Sequence, residues 1–168
     1  LTLPSPPDGI AMYKQMSELG WNPKFIMLVR APDGNTWGET LGKTGDYVTF
    51  FPGWHYGENY PGVDELNAKH QADFGRPSDV LVGPAYACVQ ILAKAIETAG
   101  TLDRDKIRDA IAATDMTTVI GPVTFRADGT GVVLNPVVQW LDGKQELVWP
   151  LDHATAKFVY PAPAFDQR

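Results

Sequence analysis

The chain has 168 residues, 44% of them apolar and 11% aromatic, which suits one ordinary folded domain and argues against disorder. Fourteen basic residues against twenty acidic ones leave a formal charge of −6. That sign repels phosphate backbones, so nucleic acid is excluded as the expected partner, and no apolar stretch approaches a membrane span.

The chain opens at Leu1 with "LTLPSPPDG" and no initiator Met, as if cut into a strand already under way. "SPPD" matches a capping pattern, with Ser5 as N-cap and Pro6 in the first turn of a helix. Ile10, Tyr13, Met16 and Leu19 form its apolar stripe, and Gly20 closes it. "FIMLV", Phe25 to Val29, is continuous apolar sequence, as expected of a strand buried on both faces of a parallel sheet. Strand, helix and strand together read as a βαβ unit with a right-handed crossover. A short helix from Thr36 to Gly42 and a strand over Asp46–Phe51 follow. "PGWHYGENYPG" is dense in turn residues and reads as a crossing between two structural regions.

Beyond it the pattern is helical. Val63, Leu66, His70 and Phe74 share one face, and a long helix runs to Ala99, with Pro84 marking its start or a kink. Gly100 caps it, and another helix follows Asp103. Cys88, the single cysteine, sits in apolar helical sequence and reads as a buried, inert thiol. "RADGT" and "LDGK" each carry Asp-Gly, so residues 120–150 are expected to form a meander of tight turns. The proline-rich end is expected to lie extended on a surface.

Three stretches, in order, carry a family resemblance. "PPDGIAMYKQMSELGWNPKF", "AYACVQILAKAIETAGTLDRDKIRDAIAATD" and "VIGPVTFRADGTGVVLNPVVQWLDGKQELVWP" together resemble the C-terminal half of the periplasmic solute-binding proteins of branched-chain amino acid ABC importers. The resemblance implies an α/β fold, the three-layer, partly parallel sheet of a type I periplasmic-binding lobe, truncated and ending in a β-hairpin run. It implies two lobes joined by three crossings, with the ligand between them. Residues 1–51 would belong to the second lobe and 52–120 to a crossing and the helices of the first. Residues 121–150 would be strands returning to the second lobe and hinge, and 151–168 an extended tail. The implied partners are a small-molecule ligand, an importer permease, and the missing N-terminal half of the same protein or a second copy. The implied location is periplasmic or otherwise extracytoplasmic.

Ligands of open α/β sheets bind beyond the carboxyl ends of the strands. Ser5 stands at one such end, as a ligand contact or only as a cap. "RAPDGNTW" stands at the other: Arg30 suits a carboxylate, Asp33 an ammonium, and Trp37 an apolar wall. Amino-acid-binding relatives place an acidic group near this loop and an aromatic at the position of Ser5. Here the loop offers both charges, and the aromatic is absent. Tyr86 lies near the other lobe's cleft edge by the family pattern, or else in a core.

No cofactor is implied. His55, His70 and His153 lack the spacing of a helical metal site, and no nucleophile elbow, phosphate loop or paired-cysteine motif occurs. The expected protein is therefore not an enzyme. The alternatives are a ligand-sensing module of the same fold and, more remotely, a small α/β hydrolase using Cys88 or the Asp33/Glu39 region.

Overall fold

The computed structural model of the chain describes residues 3–168. The strand expected over "LTLP" begins outside the described residues, and Leu3 and Pro4 are not in a strand. Helix α1, Pro6–Glu18, starts where Ser5 is extended and two prolines pre-set the first turn. The Ser5 hydroxyl does not accept from the helix backbone; it donates to Asp8 Oδ2 at 2.5 Å. At the other end Gly20, at φ +64°, completes a Schellman turn, its N–H reaching Ser17 O and that of Trp21 reaching Met16 O. Ile10, Tyr13 and Met16 are buried as the stripe demands, whereas Leu19 lies past the last turn and faces solvent.

The apolar run Phe25–Val29 does not form the expected strand. Met27 makes one parallel bridge to Thr49, and Leu28 N–H reaches Thr49 O at 3.1 Å. Leu28 is buried, but Phe25 is 43% exposed. A strand needs a run of ladder hydrogen bonds to a neighbour, and among the described residues this segment pairs with Thr49 alone. After α2, Thr36–Leu41, the predicted strand over Asp46–Phe51 shortens to β1, Thr49–Phe50. Among the described residues the βαβ reading comes down to helix α1 and isolated bridge positions at Met27 and Leu28, its first strand lying outside them.

The helical region divides into α3, Val63–Phe74, α4, Val82–Ala99, and α5, Arg104–Ala112. Gly75, at φ +67°, ends α3, and Pro84 lies in the first turn of α4, so it marks a start and not a kink. Asp103 caps α5 by accepting the N–H groups of Asp105 and Lys106. Cys88 corrects its expectation: it is exposed, because Ala87 and Ala95 turn inward while Tyr86, Cys88, Val89 and Leu92 face out.

The late β region is two sheets, not one meander. Strands β2, Asp115–Thr118, β3, Gly121–Phe125, and β4, Gly131–Val132, pair antiparallel in that order. Strands β5, Val137–Leu141, and β6, Lys144–Trp149, join β1 in a second sheet ordered β1-β5-β6. Asp142 and Gly143, both at positive φ, make the two-residue β5–β6 turn that Asp-Gly favours. Between the sheets, residues 133–136 cross over and end in Pro136, which has no N–H for a ladder.

Each sheet belongs to a separate core. Tyr13, Leu28, Trp37, Phe50, Trp140 and Leu147 anchor the larger, built from α1, α2 and the β1-β5-β6 sheet. Trp54, Val63, Ala87 and Val119 form the smaller, under α3 and α4. The tail begins with a turn at 151–153, runs without regular structure along the larger core and ends in a short 3-10 turn at Phe165–Gln167. Gln139 exchanges two hydrogen bonds with the backbone of Val159, and Ala162 N–H reaches Lys24 O. The tail ends with the Arg168 guanidinium donating to Tyr13 Oη, Thr44 O, Asp46 O and Asn22 Oδ1.

Candidate functional site

A cleft of about 390 Å³ opens between the two cores, lined by Pro6, Arg30, Asp33 and Gly34 on one side and Asp79, Val80 and Leu81 on the other. The first wall is the loop after the Met27 bridge. Arg30 holds φ at +77°, a conformation that costs a non-glycine residue energy and recurs where surroundings enforce a site. Its carbonyl accepts the Asp33 N–H at 3.3 Å, closing a turn that places both side chains at the cleft. Burial pushes the Asp33 carboxyl up, while the positive charge of Arg30 opposes that rise.

The second wall is the approach to α4. Asp79 Oδ1 accepts the Leu81 N–H at 3.0 Å, and Oδ2 meets Arg76 Nη1 at 3.4 Å, so this carboxylate is occupied in starting the helix. Val80 and Leu81 supply apolar surface, Leu81 being 72% exposed. The cleft therefore offers one cation, the Asp33 carboxylate, the helix-engaged Asp79 and an oily facing wall. That combination can hold a small zwitterion or carboxylate-bearing molecule; it assembles no nucleophile and base.

Of the residues singled out in the sequence, Arg30 and Asp33 are brought together here. Ser5 stands beside lining residue Pro6 but turns its hydroxyl to Asp8. Trp37 lies elsewhere: it is fully buried, with its indole N–H donated to Gly45 O at 2.9 Å and its ring 5.1 Å from that of Tyr13. It is a core residue of the larger cluster, not a cleft wall. Tyr86 is 48% exposed on the outer face of α4 and does not line the cleft. Glu39 borders a different recess with Tyr56 and Lys144, apart from Asp33. Val80 and Leu81 escaped sequence reasoning; the usable signal was Asp79 as a helix-starting residue ahead of Pro84.

A second layer supports the loop. The Gln145 side-chain amide donates to Pro32 O at 3.2 Å and to Asp33 O at 2.9 Å, and Trp140 Nε1 donates to Pro32 O at 2.9 Å. Buried His55 reaches Gln145 O through Nε2 at 3.0 Å while its Nδ1 accepts the Gly57 N–H. Because Nδ1 accepts, Nε2 carries the proton and the ring is neutral. Burial lowers its pKa to about 4. Among the described residues no group of histidine, cysteine or acidic side chains is arranged to hold a metal ion, and no helix is long and apolar enough to cross a membrane.

Comparison with known proteins gives this cleft a setting. A leucine-, isoleucine-, valine-, threonine- and alanine-binding protein of Pseudomonas aeruginosa is 37% identical over 67 residues, covering 40% of this chain and 17% of that protein. A leucine-binding protein from Thermotoga maritima superposes with a TM-score of 0.76 at 20% identity, over 86% of this chain and 42% of its own. LivJ of Streptococcus pneumoniae, a branched-chain amino acid transporter substrate-binding protein solved with isoleucine, gives 0.71 at 18% identity, over 95% and 43%. This chain thus spans less than half the length of the proteins it resembles, and its mixed α/β architecture is that of part of a type I periplasmic-binding fold. Such relatives bind solutes and are not enzymes. The sequence profile of the periplasmic binding proteins matches residues 1–145, and the chain belongs to that family.

Proposed function

We propose that the chain is part of the extracytoplasmic solute-binding component of an ABC importer and holds a small amino acid, or a similar carboxylate, between two lobes. The observation that carries this reading is the cleft itself: Arg30 and Asp33 come from one core, and Val80 and Leu81 from the approach to the other. In such a site Arg30 receives the ligand carboxylate, Asp33 its ammonium, and Leu81 its side chain. A solute touching both walls binds the closed arrangement better than the open one and shifts the population toward closure. The ligands for which the relatives are named, branched-chain and small amino acids, favour the same class. One lobe would comprise the larger core with the tail, the other α3–α5 with the β2–β4 sheet, and residues 51–62 and 133–136 would be crossings between them.

The outward face of α4 supports a further part of this reading. Tyr86, Val89 and Leu92 leave an apolar strip open on a helix that, in a layered α/β lobe, lies against a sheet. Given that the solved relatives are more than twice as long as the matched portion, this strip receives strands from the remainder of the lobe or, in their absence, a second copy. Light scattering that found the isolated chain strictly monomeric at high concentration would count against it. The transport reading is tested by calorimetry on the full-length gene product with a panel of L-amino acids. Micromolar binding of leucine, valine or alanine that falls by about tenfold or more in Asp33→Asn is expected. Saturation with none of them, or binding indifferent to Asp33, would overturn it.

A further inference from the structure

The cleft loop is held in a costly conformation, and of the two side chains that support it, Trp140 and Gln145, the second also meets the segment joining the two cores. Arg30 at φ +77° does not keep its geometry by itself. Two successive carbonyls of the loop, Pro32 and Asp33, each accept from Gln145 Nε2, and Trp140 Nε1 is a second donor to Pro32 alone. The Gln145 side chain is almost wholly buried, and β6 fixes its backbone through the pairing with Trp140. The main-chain carbonyl of the same residue accepts His55 Nε2 at 3.0 Å and the Tyr56 hydroxyl at 3.3 Å. His55 and Tyr56 stand in the segment that leaves the larger core for the smaller.

We propose that Gln145 is the positioning residue of the cleft: its amide presets the Arg30–Asp33 loop, and its carbonyl ties that loop to the crossing segment. The ligand-facing half of this inference rests on the solute-binding reading above. A displacement of the crossing relative to β6 strains the bonds at Gln145 first, and Asp33 is one peptide away. The carboxylate is thereby ordered before any solute arrives, which lowers the ordering cost of binding.

The test is hydrogen exchange on the full-length gene product, comparing wild type with Gln145→Met and Gln145→Glu. Methionine keeps the length and apolar packing but donates nothing; glutamate turns an acceptor toward two carbonyls. The Asp33 loop amide, which donates to Arg30 O, is expected to exchange about tenfold faster in Gln145→Met and faster still in Gln145→Glu, with α1 and the β5–β6 amides unchanged. L-leucine affinity, read by calorimetry on the same samples, is expected to fall by about tenfold alongside. Unchanged loop exchange, or a rise shared equally by α1 and β5–β6, would overturn the inference by showing no role or a merely structural one. Faster loop exchange with undiminished leucine affinity would overturn the positioning role. If wild type binds no leucine while the loop still loosens, the clamp stands and the solute-binding reading fails, so the two are told apart.

Discussion

The buried imidazole of His55 makes the fold acid-sensitive in a calculable way. Its pKa falls from 6.5 to about 4 because burial penalises the charged ring, and protonating Nδ1 would also displace the Gly57 N–H it accepts. Between those values the unfolded chain binds a proton that the folded chain does not. Stability from this group is therefore fully present above pH 6.5 and is lost progressively as pH falls toward 4. At 1.36 kcal/mol per unit the whole loss comes to about 3 kcal/mol, a large share of an ordinary domain's stability. The raised carboxyls of Asp33 and Asp46 act in the opposite sense, since groups that hold their proton more tightly when folded favour the fold at low pH. The comparison must therefore be differential. Urea unfolding of wild type and His55→Gln, run at intervals from pH 7.5 to about 4.5, isolates the His55 contribution because the carboxyl effects cancel. The wild-type curve should fall more steeply with acidification, so that the gap between the two proteins narrows by about 2 kcal/mol or more across this range. Parallel curves would refute the reasoning and mean that the ring protonates in place.

Two further substitutions probe the packing that holds the cores. A Cβ at Gly83 would stand 2.3 Å from Trp54 Cδ2, so Gly83→Ala should cost about 1–3 kcal/mol and alter the near-ultraviolet dichroism of the tryptophan. Arg168→Ala strips the donor from Tyr13 Oη, Thr44 O and Asp46 O, and thermal unfolding should report a loss of about 2 kcal/mol with the tail between 156 and 168 newly open to proteolysis.

What could be read from the chain depended on how local the cause was. The extent of α1 and its Gly20 stop, the Asp103 start of α5 and the Asp-Gly turn of β5–β6 are decided within a few residues and lie where the pattern placed them, though the Ser5 side chain does not cap and Leu19 leaves the stripe. Phe25–Val29 has the composition of a buried strand, but a strand is a relation to neighbours, and among the described residues the bridge to Thr49 is what pairs it. The meander broke for a similar reason: Asn135 Oδ1 accepts the Gly53 N–H, pinning residues 133–136 to the other crossing segment instead of to a neighbouring strand. At the cleft, Arg30 and Asp33 drew notice as a charged pair after an apolar run; the run is not a strand, yet the loop that follows its Met27 bridge does line the cleft. Trp37 was not, since a tryptophan in a turn-rich segment has the same sequence context whether it faces a ligand or, as here, Tyr13. Val80 and Leu81 belong to a wall that only the folded arrangement brings opposite the loop. Cys88 was misread because an apolar helix has two faces, and composition does not say which one is covered.

The segment joining the cores holds one more charge whose treatment decides stability. Glu58 is buried, with its side chain 3% exposed, and its carboxylate Oε2 lies 2.7 Å from His153 Nδ1. Asp152, at 3.8 Å from the opposite ring nitrogen, is solvent-exposed and contributes little. The ring of His153 also meets Tyr60 edge-on at 5.1 Å, which keeps it in place. Removing only the histidine leaves a carboxylate out of water with no donor, so His153→Ala should cost about 3 kcal/mol. Replacing the acid alone leaves the imidazole beside an apolar chain, a smaller penalty, and Glu58→Met with His153→Ala removes the orphaned carboxylate altogether. The double variant should therefore recover about 1–2 kcal/mol relative to His153→Ala, a non-additivity that urea unfolding of the four proteins at pH 7.5 measures directly. Strictly additive losses would mean that water reaches Glu58 once the ring is gone, and that the junction between the cores is looser than the 2.7 Å contact implies.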